Sequence, residues 1–400
     1  MLYPPLVSES PTSPRPGFYE FFCGGGMARV GLGAAWRCLF ANDFDPRKAL
    51  SYADNWGEGD LQCGDVAALT SADLPGRADL AWASFPCQDL SLAGAGAGLS
   101  GARSGAFWGF HALMRDLKDE GRAPKIIALE NVLGALTSKG GGDFAALCRA
   151  LGGLGYRLGA LTIDAAHFVP QSRPRLFVVA LSDDFSPPED LSAPAPSAPF
   201  AAPALRRAAA RLPPTLADKW VWWRLPEPPR ANLSLIDCLD DEPEDAPWHD
   251  GEETRALIAA MSKASLRNLA AARARGSRQV GALFRRTRPD GAGRTRVRAE
   301  ARFDGLAGCL RTPAGGSSRQ FLIEVEGEAT RSRLIGAREA ARLMGLPESF
   351  RLPQRRNDAY RLVGDGVVAP VVRHLSDHLL LPLLAAQSEA ARQPRRARRA

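Results

Sequence analysis

From residue 17 to residue 181 short apolar runs recur with helix-length segments between them, and this alternation narrows the folds open to the chain. Residues 18–22, 39–42, 80–84, 126–129 and 176–181 have strand length and strand composition. Residues 46–56, 107–119 and 143–154 have helical length, and 27–33 reads as a helix start. Strands and helices in this order predict an α/β fold, a doubly wound and mostly parallel sheet. The pattern breaks at Ser186. Residues 186–204 form a Pro/Ala/Ser-rich linker, and 205 to about 330 reads as a smaller, irregular second region. Helical spacing returns at 338–344, ends at Gly345, and appears again at 370–381. Residues 1–16 and 386–400 read as a disordered N-terminus and a basic tail.

A chain of 400 residues is long enough for two or more compact units. Its net charge of +7 fits a polyanionic partner. The excess is local: between 273 and 311, eleven arginines face only Asp290, Glu300 and Asp304. The seven cysteines include no C-x-x-C pair, which argues against a zinc site and a disulfide framework and suits a reducing compartment. His374 and His378 have helical spacing but no further ligands, so no metal is expected. The N-terminus has no apolar core of a signal peptide, and the leucine-rich patch 379–386 is well short of the ~20 residues a membrane helix needs. No membrane partner is expected.

Two groups of residues point to chemistry. Glu20-Phe21-Phe22-Cys23-Gly24-Gly25-Gly26-Met27 is a strand running through a glycine turn into a helix, where a backbone can approach a ligand closely. Asp43 follows the second strand, placed for ribose hydroxyls, and Asp65-Val66 is placed for an adenine edge. The turn lacks G-x-G-x-x-G, so an adenosyl cofactor fits better than a dinucleotide; an ordinary tight turn is the competing reading. The second group is Cys87 in Ser84-Phe85-Pro86-Cys87-Gln88, Glu130 in Glu130-Asn131-Val132, and Arg173 and Arg175 in Gln171-Ser172-Arg173-Pro174-Arg175. A thiol needs activation to act as a nucleophile, and Arg173 is a candidate activator. An acid at the end of a buried strand needs a partner. Arg173 and Arg175, one residue apart, would point the same way along a strand. Taken singly, each has a plain structural reading: a buried cysteine, a solvated cap, a surface pair.

Together these segments resemble, in order, the signature segments of DNA (cytosine-5) methyltransferases. The resemblance takes in the glycine turn, Arg338-Glu339-x-Ala341-Arg342-x-Met344-Gly345-x-Pro347 and Gly364-x-x-Val367, and covers residues 17–185 and 331–381. It implies a Rossmann-like S-adenosylmethionine-dependent catalytic domain (17–185), a target-recognition domain and hinge (205–350), and a segment returning to the first domain (351–385). It implies methyl transfer from S-adenosyl-L-methionine to carbon 5 of a flipped-out cytosine in double-stranded DNA. Cys87 would be the nucleophile, Glu130 would hydrogen-bond the ring, Arg175 would hold the base carbonyl, and Arg173 would organise Cys87 or a phosphate. Phe22, Cys23, Gly24, Gly25, Gly26, Asp43, Asp65, Val66, Pro86, Asp365 and Val367 would line the cofactor pocket. Gln88 and Ser91 in a mobile loop, with Arg311, Thr312, Gly315, Gly316 and Arg319, would contact DNA. The setting implied is bacterial and cytoplasmic, a monomer with or without a cognate restriction endonuclease. An RNA (tRNA) cytosine-5 methyltransferase and an inactive DNA-binding module are the alternatives. Met27, Ser84-Phe85 and Asp365 depart from the family pattern at the cofactor wall. Lys219-Trp220-Val221-Trp222-Trp223 would serve as core packing or as a stacking surface for bases.

Overall fold

The computed structural model describes residues 15–86, 106–228, 233–289, 295–312 and 319–392. Its centre is a seven-stranded sheet of β1 (Gly17–Phe21), β2 (Arg37–Asp43), β3 (Leu61–Cys63), β4 (Leu80–Ala83), β5 (Ile126–Val132), β6 (Tyr156–Asp164) and β7 (Pro174–Ser182), in the order β3-β2-β1-β4-β5-β7-β6. The first five strands run parallel; β7 is antiparallel to both of its neighbours. β1 and β4 are buried at every position, as strands covered on both faces must be. The chain builds outward from β1 to β3, then crosses back to β4. Sheets of this kind bind ligands outside the strand ends at such a reversal, here the crevice between β1 and β4.

Alternate residues feed two cores. Phe18, Trp82 and Ile126 pack with the helix α1 (Met27–Leu32) on one face, while Tyr19, Phe21, Ala81 and Ile127 face the other. α2 (Pro46–Trp56) opens with Asp45 accepting from the Arg47 N–H and with Pro46 in its first turn, both favourable helix starts. α3 (Ala106–Asp119) and α4 (Gly142–Gly153) cover the second face.

The stretch expected to be a linker, 186–204, instead stays on this sheet with the residues that follow it, contributing β8 (Ser192–Ala193) and the start of α5 (Pro203–Ala209). β8 pairs with β9 (Trp222–Trp223), and α5 and α6 (Pro214–Ala217) bury Leu205, Ala208 and Leu216 in the second core. Trp223 is core: it is buried, and its indole N–H donates to the Val179 carbonyl at 3.1 Å. The stretch that reads as irregular carries an ordered antiparallel sheet farther on. α7 (Gly251–Ala259) and α8 (Lys263–Arg273) lend Leu257 and Leu269 to its core. β10 (Gln279–Pro289), β11 (Thr295–Arg302), β12 (Gln320–Glu326) and β13 (Ala329–Leu334) lie in the order β11-β10-β12-β13. Its inner face is built from Leu283, Ala299, Ala301 and Ile323, small or widely spaced residues among arginines, so its apolar alternation is faint in the sequence.

The chain then returns. α9 (Ala337–Arg342), α10 (Arg356–Asp365), α11 (Ala369–Leu375) and α12 (Leu381–Arg392) close the first face of the large sheet. α11 lies so near α1 that a side chain at Gly31 would strike Val372 and the Ala369 carbonyl. The apolar helical run 356–389 is mostly buried in this packing.

Candidate active site

Gln171 is fully buried and holds two distant segments by their backbones: its amide donates to the Leu343 carbonyl at 2.7 Å and accepts from the Leu310 N–H at 3.0 Å. Arg173 is 2% exposed. Its guanidinium donates to the carbonyls of Leu310 (2.7 Å), Gly364 (2.9 Å) and Gly366 (2.7 Å), while the Arg173 N–H donates to Asp164 at 2.7 Å. A buried cation without a carboxylate partner needs such a cage of oxygen acceptors. The 171–173 segment therefore ties the large sheet, the antiparallel region and the returning helices to one point.

Arg175 has a different environment. It lies opposite Val132 in the β5–β7 ladder, two residues past Glu130 and on the same face. Its Nε meets a Glu130 carboxylate oxygen at 3.1 Å. Glu130 is 6% exposed; burial raises its pKa, and Arg175, Arg173 and the Ser84 hydroxyl offset this only in part. The Ser84 oxygen in turn accepts from the Trp82 indole at 3.0 Å. Both Arg173 and Arg175 reach the Cys309 sulfur, at 3.4 Å and 3.8 Å, so the two side chains converge. Asn131 donates to the Phe85 carbonyl at 3.2 Å, which holds the root of the Pro86 turn one residue from Glu130. Cys87, Gln88, Ser91, Gly315 and Gly316 lie outside the described residues.

The glycine turn sits at the end of β1. Phe22 has φ 57°, a left-handed conformation that costs a bulky residue about 1–2 kcal/mol. Gly24 shares it, and a side chain there would enter open space, whereas one at Gly25 would press on Leu362 and Phe350. The Gly24 N–H donates to Asp43 at 2.8 Å and the Asp45 N–H at 2.9 Å, so the buried carboxylate is pinned at the crevice. Cys23 buries its thiol with Ala41 and Tyr52. Asp65 caps the following turn through the Ala67 N–H, Val66 is buried, and Val367 lies in the first core.

The departures from the family pattern have local explanations. Phe85 turns into the second core against Phe107, ring centres 5.4 Å apart, and leaves Ser84 to serve Glu130. Met27 is buried against Gly366. Asp365 binds Lys48 at 2.8 Å and the Thr312 hydroxyl, so its charge is paired. Arg319 donates to Asn357 of α10 at 2.6 Å, and Arg311 is exposed.

Ser84, Lys48, Cys309 and Phe44 escaped the sequence reading. Phe44 is 73% exposed directly after Asp43, and an aromatic between two acids at a strand end was the available signal. The other three act through partners 46 to 317 residues away, for which one sequence carries no signal.

Residues 17–380 match the family model for C-5 cytosine-specific DNA methylase. This chain belongs to the C-5 cytosine-specific DNA methylase family. It is similar to the Type II methyltransferase M.NlaX of Neisseria lactamica, 26% identical over 92% of this chain and 96% of that protein. It is also similar to M.MspI of Moraxella sp, 23% identical over 92% and 71%. The fold matches S. pombe Dnmt2 methyltransferase with TM-score 0.58, 20% identity, and coverage of 92% of this chain and 99% of that one. The Entamoeba histolytica methyltransferase EhMeth matches with TM-score 0.59, 13% identity, and coverage of 93% and 99%. The chain is thus a DNA (cytosine-5) methyltransferase with a Rossmann-like catalytic sheet and an added antiparallel region. This is the family that the ordered segments around the glycine turn, Cys87, Glu130, Gln171–Arg175, Arg338–Pro347 and Gly364–Val367 resemble.

Proposed function

We propose that this methyltransferase uses S-adenosyl-L-methionine to methylate a flipped-out cytosine in a specific duplex DNA sequence, through a covalent adduct on Cys87. The observation that carries the reading is the buried Glu130–Arg175 pair, beside which Asn131 holds Phe85, two residues before Cys87 in the chain. A cytosine in a duplex hides carbon 6, so the base must leave the stack. The Cys87 thiolate adds there and makes carbon 5 nucleophilic. Glu130, whose pKa burial shifts upward, hydrogen-bonds ring nitrogen 3 and the exocyclic amine. Arg175 supports the base carbonyl. Arg173 acts through position, anchoring the segment that carries Arg175. S-adenosylmethionine, when bound, supplies an electrophilic methyl group.

The crevice suits an adenosyl cofactor: open space over Gly24, a pinned Asp43 for ribose hydroxyls, and exposed Phe44 as a stacking face. Phe22, Gly25, Gly26, Asp65, Val66, Pro86 and Val367 complete its wall, and Cys23 contributes backbone. Asp365 acts by way of Lys48 and Thr312. We assign residues 17–185 with 351–385 to catalysis and place target recognition in the 251–334 part of 205–350, since α5, α6, Trp223 and α9 pack on the large sheet. In the β10–β11 hairpin Arg286 lies opposite Arg298, both exposed. Like charges facing each other destabilise a ladder, and a phosphate backbone between them removes the penalty. Arg311, Thr312 and Arg319 extend that surface.

Purified protein with S-adenosylmethionine should form a denaturation-resistant adduct with duplex DNA containing 5-fluorocytosine, and Cys87→Ser should form none. Adduct on tRNA with none on DNA would overturn the assignment.

A further inference from the structure

Cys309 belongs to the antiparallel region, yet its sulfur lies among the catalytic arginines. It is half-buried and lies two residues after Ala307, whose backbone is tied to Pro170 and Ser172. Three contacts to described residues orient the Arg175 guanidinium: Nε on Glu130 at 3.1 Å, Nη1 on the Pro174 carbonyl at 3.0 Å, and Nη2 on Cys309 at 3.8 Å. Two of these come from the large sheet itself. Cys309 alone of the three reaches Arg175 from the other region, and the same sulfur accepts from Arg173 at 3.4 Å.

We propose that Cys309 is a positioning residue for methyl transfer: its sulfur accepts from Arg173 and Arg175 and so aims the Arg175 guanidinium at the base once the recognition region is seated. This rests on the assignment of Arg175 to the base pocket. A planar guanidinium carries its donors in a fixed fork, so a small rotation misplaces all of them. The charges facing the sulfur are Arg173, Arg175 and Arg311. Burial alone would raise the thiol's pKa, but these arginines more than offset it, and the net shift is downward. A sulfur with more thiolate character is a stronger acceptor for N–H groups. A space-filling cysteine would sit among apolar side chains; this one borders charged donors.

The test compares single-turnover methylation by wild type, Cys309→Ala, Cys309→Val and Cys309→Ser on one duplex substrate. Alanine and valine differ in volume but both lack an acceptor, so one still reports if the other fails to fold. Loss of the acceptor should slow the chemical step about tenfold while the apparent affinities for DNA and cofactor change less than twofold; serine should restore most of the rate. In an Arg175→Lys background, Cys309→Val should add little further loss. Rates within twofold of wild type for both apolar variants, a serine variant as slow as valine, or fully multiplicative losses would each overturn the proposal. Arg175→Ala separates the two readings. If it leaves the rate intact, the base-pocket assignment is wrong; if it abolishes activity while Cys309→Val is unimpaired, only the role of Cys309 is wrong.

Discussion

Glu20 shows what a single buried carboxyl can do to the whole chain. It lies in β1 with its side chain sealed from solvent, facing the N–H groups of Ala28 and Arg29, and its Oε2 has no partner among the described residues. Burial, only partly countered by Arg29, pushes its pKa up to about 8. A carboxyl raised in the folded state stabilises fully below its unfolded pKa of about 4.3, and that contribution is lost as pH rises through 8. Glu20→Gln should therefore gain stability relative to wild type at pH 9, on the order of 5 kcal/mol, and little at pH 4. Thermal melts of both proteins across this range decide it: a difference that does not grow with pH refutes the idea. Residues of this scale were unevenly legible. Glu130 announced itself because an acid ending an apolar run demands a partner. Ser84 did not, because a serine before a turn has many ordinary uses and its role exists only in the contact with β5.

Between elements, the packing of Met27 against Gly366 joins α1 to the turn after α10. A side chain at 366 would run into the Met27 sulfur, so a bulky residue at one position requires a bare one at the other. Gly366→Ala should destabilise by about 1–3 kcal/mol. Met27→Ala should cost about 2–5 kcal/mol through the cavity it leaves. The double variant should be more stable than the sum of the two predicts, with a coupling of about 1–3 kcal/mol in denaturant unfolding; strict additivity would show that the two do not share the space. The large sheet was readable because β1, β4 and β5 are mostly apolar, with Leu80–Ala83 and Ile126–Leu129 unbroken. β3 has three residues, too few for a pattern. The antiparallel sheet hid behind its arginines, because outward charges alternate with small inward residues such as Ala299 and Ala301.

At the scale of the molecule, charge and connectivity divide the work. The antiparallel region is bound to the returning helices by Arg333 and Glu339, a pair with both side chains out of solvent at 2.7 Å, and Glu339 also accepts from Asp240 and Gly336. The same region turns Arg286 and Arg298 outward. Arg286 is nearly half exposed, its contact to Glu300 spans 3.4 Å, and a pair of that kind is weak. Arg286→Ala and Arg298→Ala should each lower the slope of log affinity against log salt by about 0.9 if the side chain meets one phosphate. Binding titrations at several salt concentrations measure this, and unchanged slopes would place the duplex elsewhere. That the region is basic was plain in the sequence; how its strands pair was not, since register depends on contacts between residues far apart in the chain.

Gln171 and Arg173 grip their neighbours mainly through main-chain atoms, the carbonyls of 310, 343, 364 and 366 and the N–H of 310. The clasp therefore reads backbone position, with glycine required at 364 and 366 for packing. Exposed side chains of the β10–β11 strands, such as Arg286 and Arg298, can change without touching this clasp, so a change of target made there would leave the machinery that alters the base in place.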